Sequence, residues 1–335
     1  MRGSQRPTLE GVAVRAGVSR ATVSRVVNGS TTVAPEIRET VLRAVQELGY
    51  VPNQAARSLV TQRTNSMALV FPEAAARVFS DDELFPGLVL GVSQELEAAD
   101  QQLVLMMASS VASHSRIERY TTAGHVDGVM LASMHGADPM PMVLQRREIP
   151  VVVNGRAMGS STVPYVDVDS RAGAAEAVRH LIDAGRTRIG TIAGPQDMVA
   201  GIDRLAGYRS VMRASHRRSL VALGEFTRES GLVAMRQLLA DEPDVDAVFV
   251  ASDLMALGAL RALAEAGRRV PDDVAVVGFD DFELARYADP PLTTVRQPII
   301  ELGRTLASQL LRLVAGEQIE PAVVLPTSLV VRGSG

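Results

Sequence analysis

The stretch of residues 17–29 combines side-chain types that suit contact with nucleic acid. It reads GVSRATVSRVVNG and contains hydroxyl groups and arginines but no acidic residue. The polar groups are those of Ser19, Arg20, Thr22, Ser24 and Arg25. Phosphate oxygens accept hydrogen bonds from arginine and hydroxyl side chains, and guanine accepts two from one arginine in the major groove. This composition therefore indicates a surface that contacts DNA.

Two short helices that meet at Gly17 would place these groups on one surface. Apolar residues repeat at helical spacing on both sides of that glycine. They are Leu9, Val12, Ala13 and Ala16 in the first segment and Val23, Val26 and Val27 in the second. Gly17 permits the left-handed turn that ends the first helix, and Ser19 is placed to cap the second. A third helix from Pro35 to Leu48, stopped by Gly49, completes a predicted helix-turn-helix unit.

We expect the second of these helices to read DNA. The predicted contacts are Thr8, Ser19, Arg20, Ala21, Thr22, Ser24, Arg25 and Asn28. The alternative is a purely structural three-helix bundle with a polar face. Nine arginines against four glutamates leave residues 1–63 with five positive charges in excess, although the whole chain has a formal net charge of −4. This asymmetry predicts a small basic module joined to an acidic body.

The same N-terminal sequence resembles the DNA-binding headpiece and hinge of the lactose-repressor (LacI-type) family. The resemblance rests on TLEGVAVRAGVSRATVSRVVNG, followed by LGYVPNQAARSLVTQRT, and it continues over essentially the whole chain. It implies that residues 52–60 form a short helix when two protomers meet on an operator. Leu59 would then wedge into the minor groove and bend the duplex, with Asn53 and Ala56 beside it. From its residues alone, NQAARSLV is an ordinary linker helix.

Two residues depart from the family pattern in ways that concern helix stability. Gly11 replaces the acid that usually completes a capping box with Thr8, which should loosen the first turn. Ala34 stands where serine commonly caps the third helix, at a cost of about 1 kcal/mol. Neither residue belongs to the predicted DNA-contacting surface.

From Ser66 onward, short apolar runs rich in β-branched residues alternate with amphipathic helical segments. The predicted strands are SMALVFP, QQLVLMMAS, DGVMLAS, PVVVNG, PYVDVD, RIGTIAG, DAVFVAS and VAVVGFDD. The predicted helices span 87–97, 172–184, 205–214, 231–239 and 254–267. This alternation predicts an α/β body with parallel sheets covered by helices on both faces. Nine or more strands suit two sheets better than one.

The resemblance implies a periplasmic-binding-protein-like body with two doubly wound parallel-sheet lobes behind a small all-α headpiece. The chain should cross between the lobes three times, near residues 162, 293 and 322. The expected organisation is a headpiece (1–51), a hinge (52–63), an N-lobe (64–163 and 294–322) and a C-lobe (164–293 and 323–335). Ligands of such folds lie beyond the carboxyl ends of the strands, here between the lobes.

Polar residues at strand ends match the family's ligand positions. Arg204 matches an arginine that binds effector hydroxyls, Asp280 a carboxylate position and Gln297 a third ligand position. Ser252 stands where asparagine is frequent. A cleft with these groups offers donors and acceptors to adjacent sugar hydroxyls. The alternatives are helix capping or ion pairing for Arg204 and turn capping for Asp280, although Asp281 is better placed to cap that turn.

Several segments resemble the branch of the family that senses cellobiose and related β-glucosides. They are RVFSDDELF, NGRAMG, PYVDVDSRAG and GPQDM. In NGRAMG the usual acid is replaced by Gly155 while Arg156 remains, and we expect Arg156 to bind effector. We expect Phe79, Leu84 and Phe279 to supply apolar faces for a sugar ring.

The remaining composition argues against catalysis and export. There is no cysteine, and the histidines at 114, 125, 135, 180 and 216 form no metal-spaced pair. No G-x-G-x-x-G follows the first strand, and neither a P-loop nor G-x-S-x-G occurs. Residues 1–11 contain no apolar run. We therefore expect a cytoplasmic protein that is not an enzyme and uses no metal or cofactor.

The predicted function is that of a homodimeric transcriptional regulator. It should bind double-stranded operator DNA, repress carbohydrate-utilisation genes, and be released by a mono- or disaccharide. One alternative is a corepressor-type regulator with a non-sugar ligand. Another is a sugar-binding transport component, which the basic N-terminus opposes.

Overall fold

The chain divides into two units, Met1–Thr64 and Asn65–Gly335. The computed structural model describes residues 7–27, 30, 32–51, 63–159 and 162–335. Of the sequence-based predictions, those for Asn28, Asn53, Ala56, Leu59 and all of the hinge except Arg63 lie outside the described residues.

The described part of the N-terminal unit contains three helices, at the predicted positions: α1 (Leu9–Ala16), α2 (Arg20–Val27) and α3 (Pro35–Leu48). Their apolar faces meet in one small core. Its buried members are Val12, Ala13, Val23, Val26, Val41, Ala44 and Tyr50. Gly17 has φ 67° and ends α1 in the left-handed conformation, as its position in the sequence predicts.

Side-chain caps hold the first two helices but not the third. The Gly11 amide donates to Thr8 Oγ1 over 3.1 Å, and the Thr22 amide donates to Ser19 Oγ over 3.1 Å. Ala34 offers no side-chain cap to α3. Both capping serine and threonine therefore act as expected, and the third helix begins with Pro35 alone as its N-terminal signal.

The larger unit contains two six-stranded sheets. The first has the order β11-β5-β4-β3-β1-β2 and the second β12-β10-β9-β8-β6-β7. The strands are β1 (Ser66–Phe71), β2 (Gln102–Met107), β3 (Gly128–Leu131), β4 (Val151–Asn154), β5 (Tyr165–Val168), β6 (Ile189–Ala193), β7 (Leu220–Leu223), β8 (Ala247–Val250), β9 (Ala275–Asp280), β10 (Thr293–Arg296), β11 (Ala322–Leu325) and β12 (Ser328–Val330). Neighbouring strands are parallel except β10 and β12, which are antiparallel.

Helices cover both faces of each sheet. They are α4 (Ala75–Val78), α5 (Leu84–Ala98), α6 (Val111–Thr122), α7 (Met140–Arg146), α8 (Ser170–Asp183), α9 (Val199–Ala214), α10 (Arg228–Asp241), α11 (Asp253–Glu265), α12 (Glu283–Tyr287) and α13 (Ile299–Val314). Along β1, Leu69 and Phe71 join a core with α5 and α13, whereas Ala68 and Val70 join one with α6 and α7. A strand alternates its side chains between faces, so a sheet covered twice needs apolar residues throughout.

The strand pairing corrects the predicted lobe boundaries. β5 pairs with β4 and β11, so residues 165–168 belong to the N-lobe and not to the C-lobe. β10 pairs with β9, so Thr294 to Arg296 belong to the C-lobe. The chain crosses between the lobes three times, as predicted, but after Val168, after Arg296 and after Leu325, three to six residues later than the positions near 162, 293 and 322. Because β4 and β5 pair in one sheet, the first crossing comes only after β5.

The eight strands predicted from sequence are all present, and four more complete the sheets. The additional strands are β7, β10, β11 and β12, all three or four residues long. Within the described ranges, no helix has the length and apolar content needed to cross a bilayer.

Candidate functional site

The outward surface of α2 carries most of the predicted DNA contacts. Ser19, Arg20, Ala21 and Arg25 are exposed, and Thr22 and Ser24 are half-buried. The opposite side of the helix supplies buried Val23 and Val26 to the small core. The helix therefore separates its polar and apolar residues as a recognition helix requires.

One acidic residue lies close to this surface, although α2 itself contains none. Glu10 of α1 places its carboxylate 3.6 Å from Arg20 Nη1. Both side chains are largely exposed, and such surface pairs contribute little to stability. Arg20 can leave this partner for a phosphate or a base at small cost.

In the larger unit, the carboxyl ends of the strands meet at a cleft between the lobes. Arg204 reaches this cleft from the second turn of α9 and is only 5% exposed. Its Nη1 donates to the Ala251 carbonyl over 2.6 Å and to Asp280 Oδ1 over 3.2 Å. Its guanidinium carbon lies 3.7 Å above the centre of the Phe279 ring. These contacts fix the orientation of the guanidinium before any ligand arrives.

Asp280 and Gln297 complete a polar cluster around Arg204. Asp280 ends β9 at φ 124° and is buried, and its Oδ1 accepts a hydrogen bond from Gln297 Nε2 over 2.6 Å. Ser252 caps α11 by accepting from the Met255 amide over 3.2 Å. Arg204, Ser252, Asp280 and Gln297, four of the five polar residues predicted for the site, are thus brought together at one edge of the second sheet.

Two buried carboxyl groups, those of Asp280 and Asp253, interact electrostatically with the positive charge of Arg204. Burial raises the pKa of Asp280 to about 7, although the Arg204 guanidinium opposes the rise. Burial, followed by repulsion from Asp280, raises the pKa of Asp253 well above its usual range. Asp253 accepts from Thr294 Oγ1 over 2.6 Å and from the Phe282 amide over 2.9 Å. One cation beside two carboxyls favours a state in which only one of them is ionised.

Two adjoining cavities open around Arg204. Cavity I, of about 60 Å³, is lined by Asp82, Phe226, Ser252, Asp280 and Phe282 among others. Cavity II, of about 80 Å³, is lined by Asn154, Gly155, Arg156, Asp167 and Ser170 among others. The two cavities share Leu84, Ser133, Met198, Ala200, Arg204 and Gln297. Each has room for several water molecules. Because they share these residues, the two cavities are parts of one cleft lined by both polar and apolar side chains.

Three of the predicted roles need correction. Phe79 is 71% exposed and lines neither cavity. Phe279 is fully buried beneath the Arg204 guanidinium, where no sugar ring can reach it; the aromatic residues that line cavity I are instead Phe85, Phe226 and Phe282. Asp281 does not cap the turn after β9.

The carboxylate of Asp281 instead binds two arginines. It accepts from Arg296 Nε over 2.6 Å and from Arg332 Nη2. Leu84 does line both cavities, in agreement with its predicted apolar role. The placement of Phe279 follows from strand alternation along β9, which turns Phe279 inward and Asp280 toward the cleft.

Ion pairs join the two lobes across the cleft. Arg156, which follows β4, donates to both carboxylate oxygens of Asp203 on α9 at 2.5 and 2.7 Å. His135 lies 2.9 Å from Glu73 in its own lobe and 3.0 Å from Asp197 in the other. The hydrogen bond to Glu73 raises the pKa of His135 to about 9, so the imidazole is protonated at neutral pH and donates to both. These contacts bridge the two lobes at the cleft.

Sequence reasoning missed Asp82, Asp167 and Ser170 as individual site residues. Asp82 and Ser170 are buried, and burial raises the pKa of both Asp82 and Asp167. All three lie in the segments RVFSDDELF and PYVDVDSRAG, which carry the resemblance to the β-glucoside branch. The resemblance therefore pointed to the right segments, but only the fold shows which of their acidic residues face the cleft.

Comparison with known proteins matches both units. Residues 8–53 match the pattern of "Bacterial regulatory proteins, lacI family", and residues 178–335 that of a periplasmic binding protein-like domain. The HTH-type transcriptional regulator CelR of Thermobifida fusca is 50% identical over all of both chains.

Solved structures also match almost the whole chain, and two of them bear on function. A transcriptional regulator CelR–cellobiose complex is 49% identical and covers 98% of this chain and 100% of its own, with a TM-score of 0.79. A lac repressor dimer bound to operator and the anti-inducer ONPF is 30% identical and covers 98% and 99%, with a TM-score of 0.87. The chain therefore belongs to the lacI family of bacterial regulatory proteins, and it is a DNA-binding transcriptional regulator and not an enzyme.

Proposed function

We propose that the protein represses carbohydrate-utilisation genes and that a β-linked glucose disaccharide releases it from its operator. The observation that carries the proposal is the cluster of Arg204, Asp280 and Gln297 in the cleft. Arg204 Nε is buried and has no hydrogen-bond partner among the described residues, so a donor is left for a ligand. The similarity to a regulator solved in complex with cellobiose supports a glucose disaccharide as that ligand.

A guanidinium and a carboxylate that face each other suit a sugar ring. Asp280 Oδ1 lies 3.2 Å from Arg204 Nη1, so the pair presents a fixed donor beside a fixed acceptor. Adjacent hydroxyls of one ring can accept from the first and donate to the second. Phe226 and Phe282 in cavity I offer apolar surface to the faces of the ring.

Release from DNA requires that the ligand prefer one arrangement of the lobes. A ligand held by residues of both lobes stabilises the closed cleft, and it can shift the equilibrium only by its difference in affinity for the two arrangements. Cavities I and II are lined from both lobes, which satisfies this condition.

The DNA-binding form is a homodimer in this proposal. Helix-turn-helix proteins commonly bind two half-sites with two recognition helices, and the similar lac repressor was solved as a dimer on its operator. Thr8, Ser19, Arg20, Ala21, Thr22, Ser24, Arg25 and Asn28 would contact the major-groove side, and Asn53, Ala56 and Leu59 the minor groove.

Arg20 and Arg25 should carry part of the sequence discrimination. Replacing either with alanine should cost about 1–3 kcal/mol on the selected operator and relax the preference at one base pair, because each faces outward from α2. The measurement is competition between the operator and single-base variants of it. Arg236→Ala, an exposed arginine of α10, is the matched control. An equal loss on operator and random DNA would show a phosphate contact instead.

The proposed function is tested by operator release. An operator is first selected from random duplexes by the purified protein, and its binding is then followed by fluorescence anisotropy while cellobiose is added. We expect cellobiose to lower operator affinity at least tenfold. A rise in affinity would indicate a corepressor mechanism, and no change at saturating cellobiose would contradict the proposed effector.

A further inference from the structure

Cavity II has a polar wall that the cluster around Arg204 does not use. Asp167 reaches it from the third position of β5, and Ser170 from the first residue of α8. Asn154 and Gly155 follow from the end of β4, which pairs with β5. The wall thus consists of neighbouring strand ends of the N-lobe sheet, where parallel strands bring their carboxyl ends to one edge.

Two buried polar atoms in this cavity have no partner in the described part of the chain. Ser170 is 3% exposed and its Oγ makes no hydrogen bond, and Arg204 Nε lacks a partner in the same way. Asp169 caps α8 with its own carboxylate, over 2.8 Å to the Ala172 amide, so Ser170 is not needed as a cap. A buried hydroxyl without a partner is costly unless a ligand or water supplies one.

The Asp167 carboxylate is available on the same side. The carboxylate accepts from the Val168 amide over 2.8 Å and also receives a backbone hydrogen bond from Arg156, but it has about four acceptor positions and can still accept from a ligand. A Cβ atom at residue 155 would lie 3.9 Å from Asp167 Oδ2. Gly155 also has φ 77°, a backbone conformation that other residues rarely adopt. Gly155 therefore keeps the space beside this oxygen open.

The two cavities are arranged for two linked groups. They share six lining residues, with the Arg204 guanidinium between them. Cavity I combines Asp280 with aromatic rings, whereas cavity II combines Asp167 and Ser170 with the Arg156–Asp203 ion pair at its edge. One ligand with two rings can therefore place a ring on each side of Arg204 once the lobes move apart, because a hexose ring is larger than either cavity.

We propose that cavity II is a separate subsite for the second ring of a disaccharide, in which Asp167 and Ser170 hydrogen-bond its hydroxyls and so select disaccharides over monosaccharides. This inference rests on the proposed function, since it concerns the same sugar effector. The Asp167 carboxylate accepts from one hydroxyl of the ring, and the Ser170 hydroxyl pairs with another.

The test is isothermal titration of full-length protein with cellobiose and, separately, with glucose. Asp167→Ala should weaken cellobiose binding roughly ten- to a hundredfold, because a charge-assisted contact is lost, and Ser170→Ala roughly two- to tenfold. Neither variant should change the response to glucose. Asp183→Ala, an exposed acid at the end of α8, is the matched control and should bind both sugars normally.

The outcomes separate this inference from the proposed function. If the unsubstituted protein does not bind cellobiose, both are overturned. If it binds cellobiose but Asp167→Ala has no effect, or weakens glucose in the same proportion, the second-ring subsite is wrong and the sugar effector stands. The melting temperature without sugar should be unchanged in each variant; if Asp167→Ala lowers it, the same titrations with Asp167→Asn decide, with a smaller loss expected.

Discussion

Arg204→Ala should give a protein that still binds its operator but is not released at the sugar concentrations that release the unsubstituted protein. The guanidinium is oriented by the Ala251 carbonyl, by Asp280 and by the Phe279 ring. Its Nε has no hydrogen-bond partner among the described residues and can donate to a ligand. Loss of one charge-assisted contact costs about 1.5–3 kcal/mol, or roughly ten- to a hundredfold in affinity. The measurement is operator affinity over a range of cellobiose concentrations.

Removal of this arginine also leaves buried carboxyls without their cation. Breaking a buried ion pair in this way costs about 3–5 kcal/mol, so the melting temperature of the variant should fall. Arg204→Lys is the companion variant, because it keeps the positive charge and loses the planar fork of donors. It should recover much of the stability while sugar release stays impaired. The site assignment is wrong if folded Arg204→Lys loses operator binding without sugar, or responds to cellobiose normally.

Removal of the positive charge of Arg204 should also change the protonation of the carboxyl group beside it. Asp280 is held between burial, which favours its protonated form, and Arg204, which favours its ionised form. Without the arginine the first influence is unopposed, so the pKa of Asp280 should rise and its protonated form should be favoured at neutral pH. The acceptor that Asp280 offers to a sugar hydroxyl is then weakened together with the donor. The two residues therefore act as one unit, and their single substitutions should not add.

The N-terminal unit was predictable because its signals are local. Gly17, Ser19 and Pro35 each act within a few residues, and the helical period of the apolar positions supplies the rest. The acid beside Arg20 was not predictable in this way, since Glu10 arrives from another helix. Contacts between elements depend on how helices pack, which a single sequence specifies only weakly.

In the body, the sequence indicated the polar cluster but not its depth. Arg204, Asp280 and Gln297 could be placed together, because parallel strands deliver their ends to one edge. The orientation of Phe279 and the membership of β5 depend on register and pairing, and a slip of one residue reverses every side chain.

The second substitution with a large expected effect is at Gly258, where two helices of the C-lobe pack together. Helices α10 and α11 cross with Gly231 and Gly258 at their contact. A Cβ atom at Gly258 would lie 2.0 Å from the Arg228 carbonyl oxygen and 2.6 Å from the Leu232 amide nitrogen. Both neighbours are backbone atoms of α10, which cannot rotate away as a side chain would. The two helices must therefore separate to admit even one methyl group.

Gly258→Ala sets two effects of opposite sign against each other. Alanine is the better helix former and by propensity alone should stabilise α11 by about 1 kcal/mol. Separation of the helices disturbs a core that contains Leu232, Met235 and Met255, and overpacking of this kind costs about 1–3 kcal/mol or more. Because backbone must move, we expect the clash to dominate and the free energy of unfolding to fall, as measured by urea denaturation of the full chain.

Gly11→Ala is the matched control, since the same substitution there meets no backbone. Its Cβ atom would lie 3.6 Å from Thr8 Oγ1, an ordinary contact, so only the gain in helix propensity remains. It should stabilise the N-terminal unit by up to about 1 kcal/mol, the reverse of the effect at Gly258. Gly258→Val adds further bulk at the crossing and should unfold the C-lobe more severely. Equal or greater stability of Gly258→Ala would show that α10 and α11 are not held in contact at this glycine.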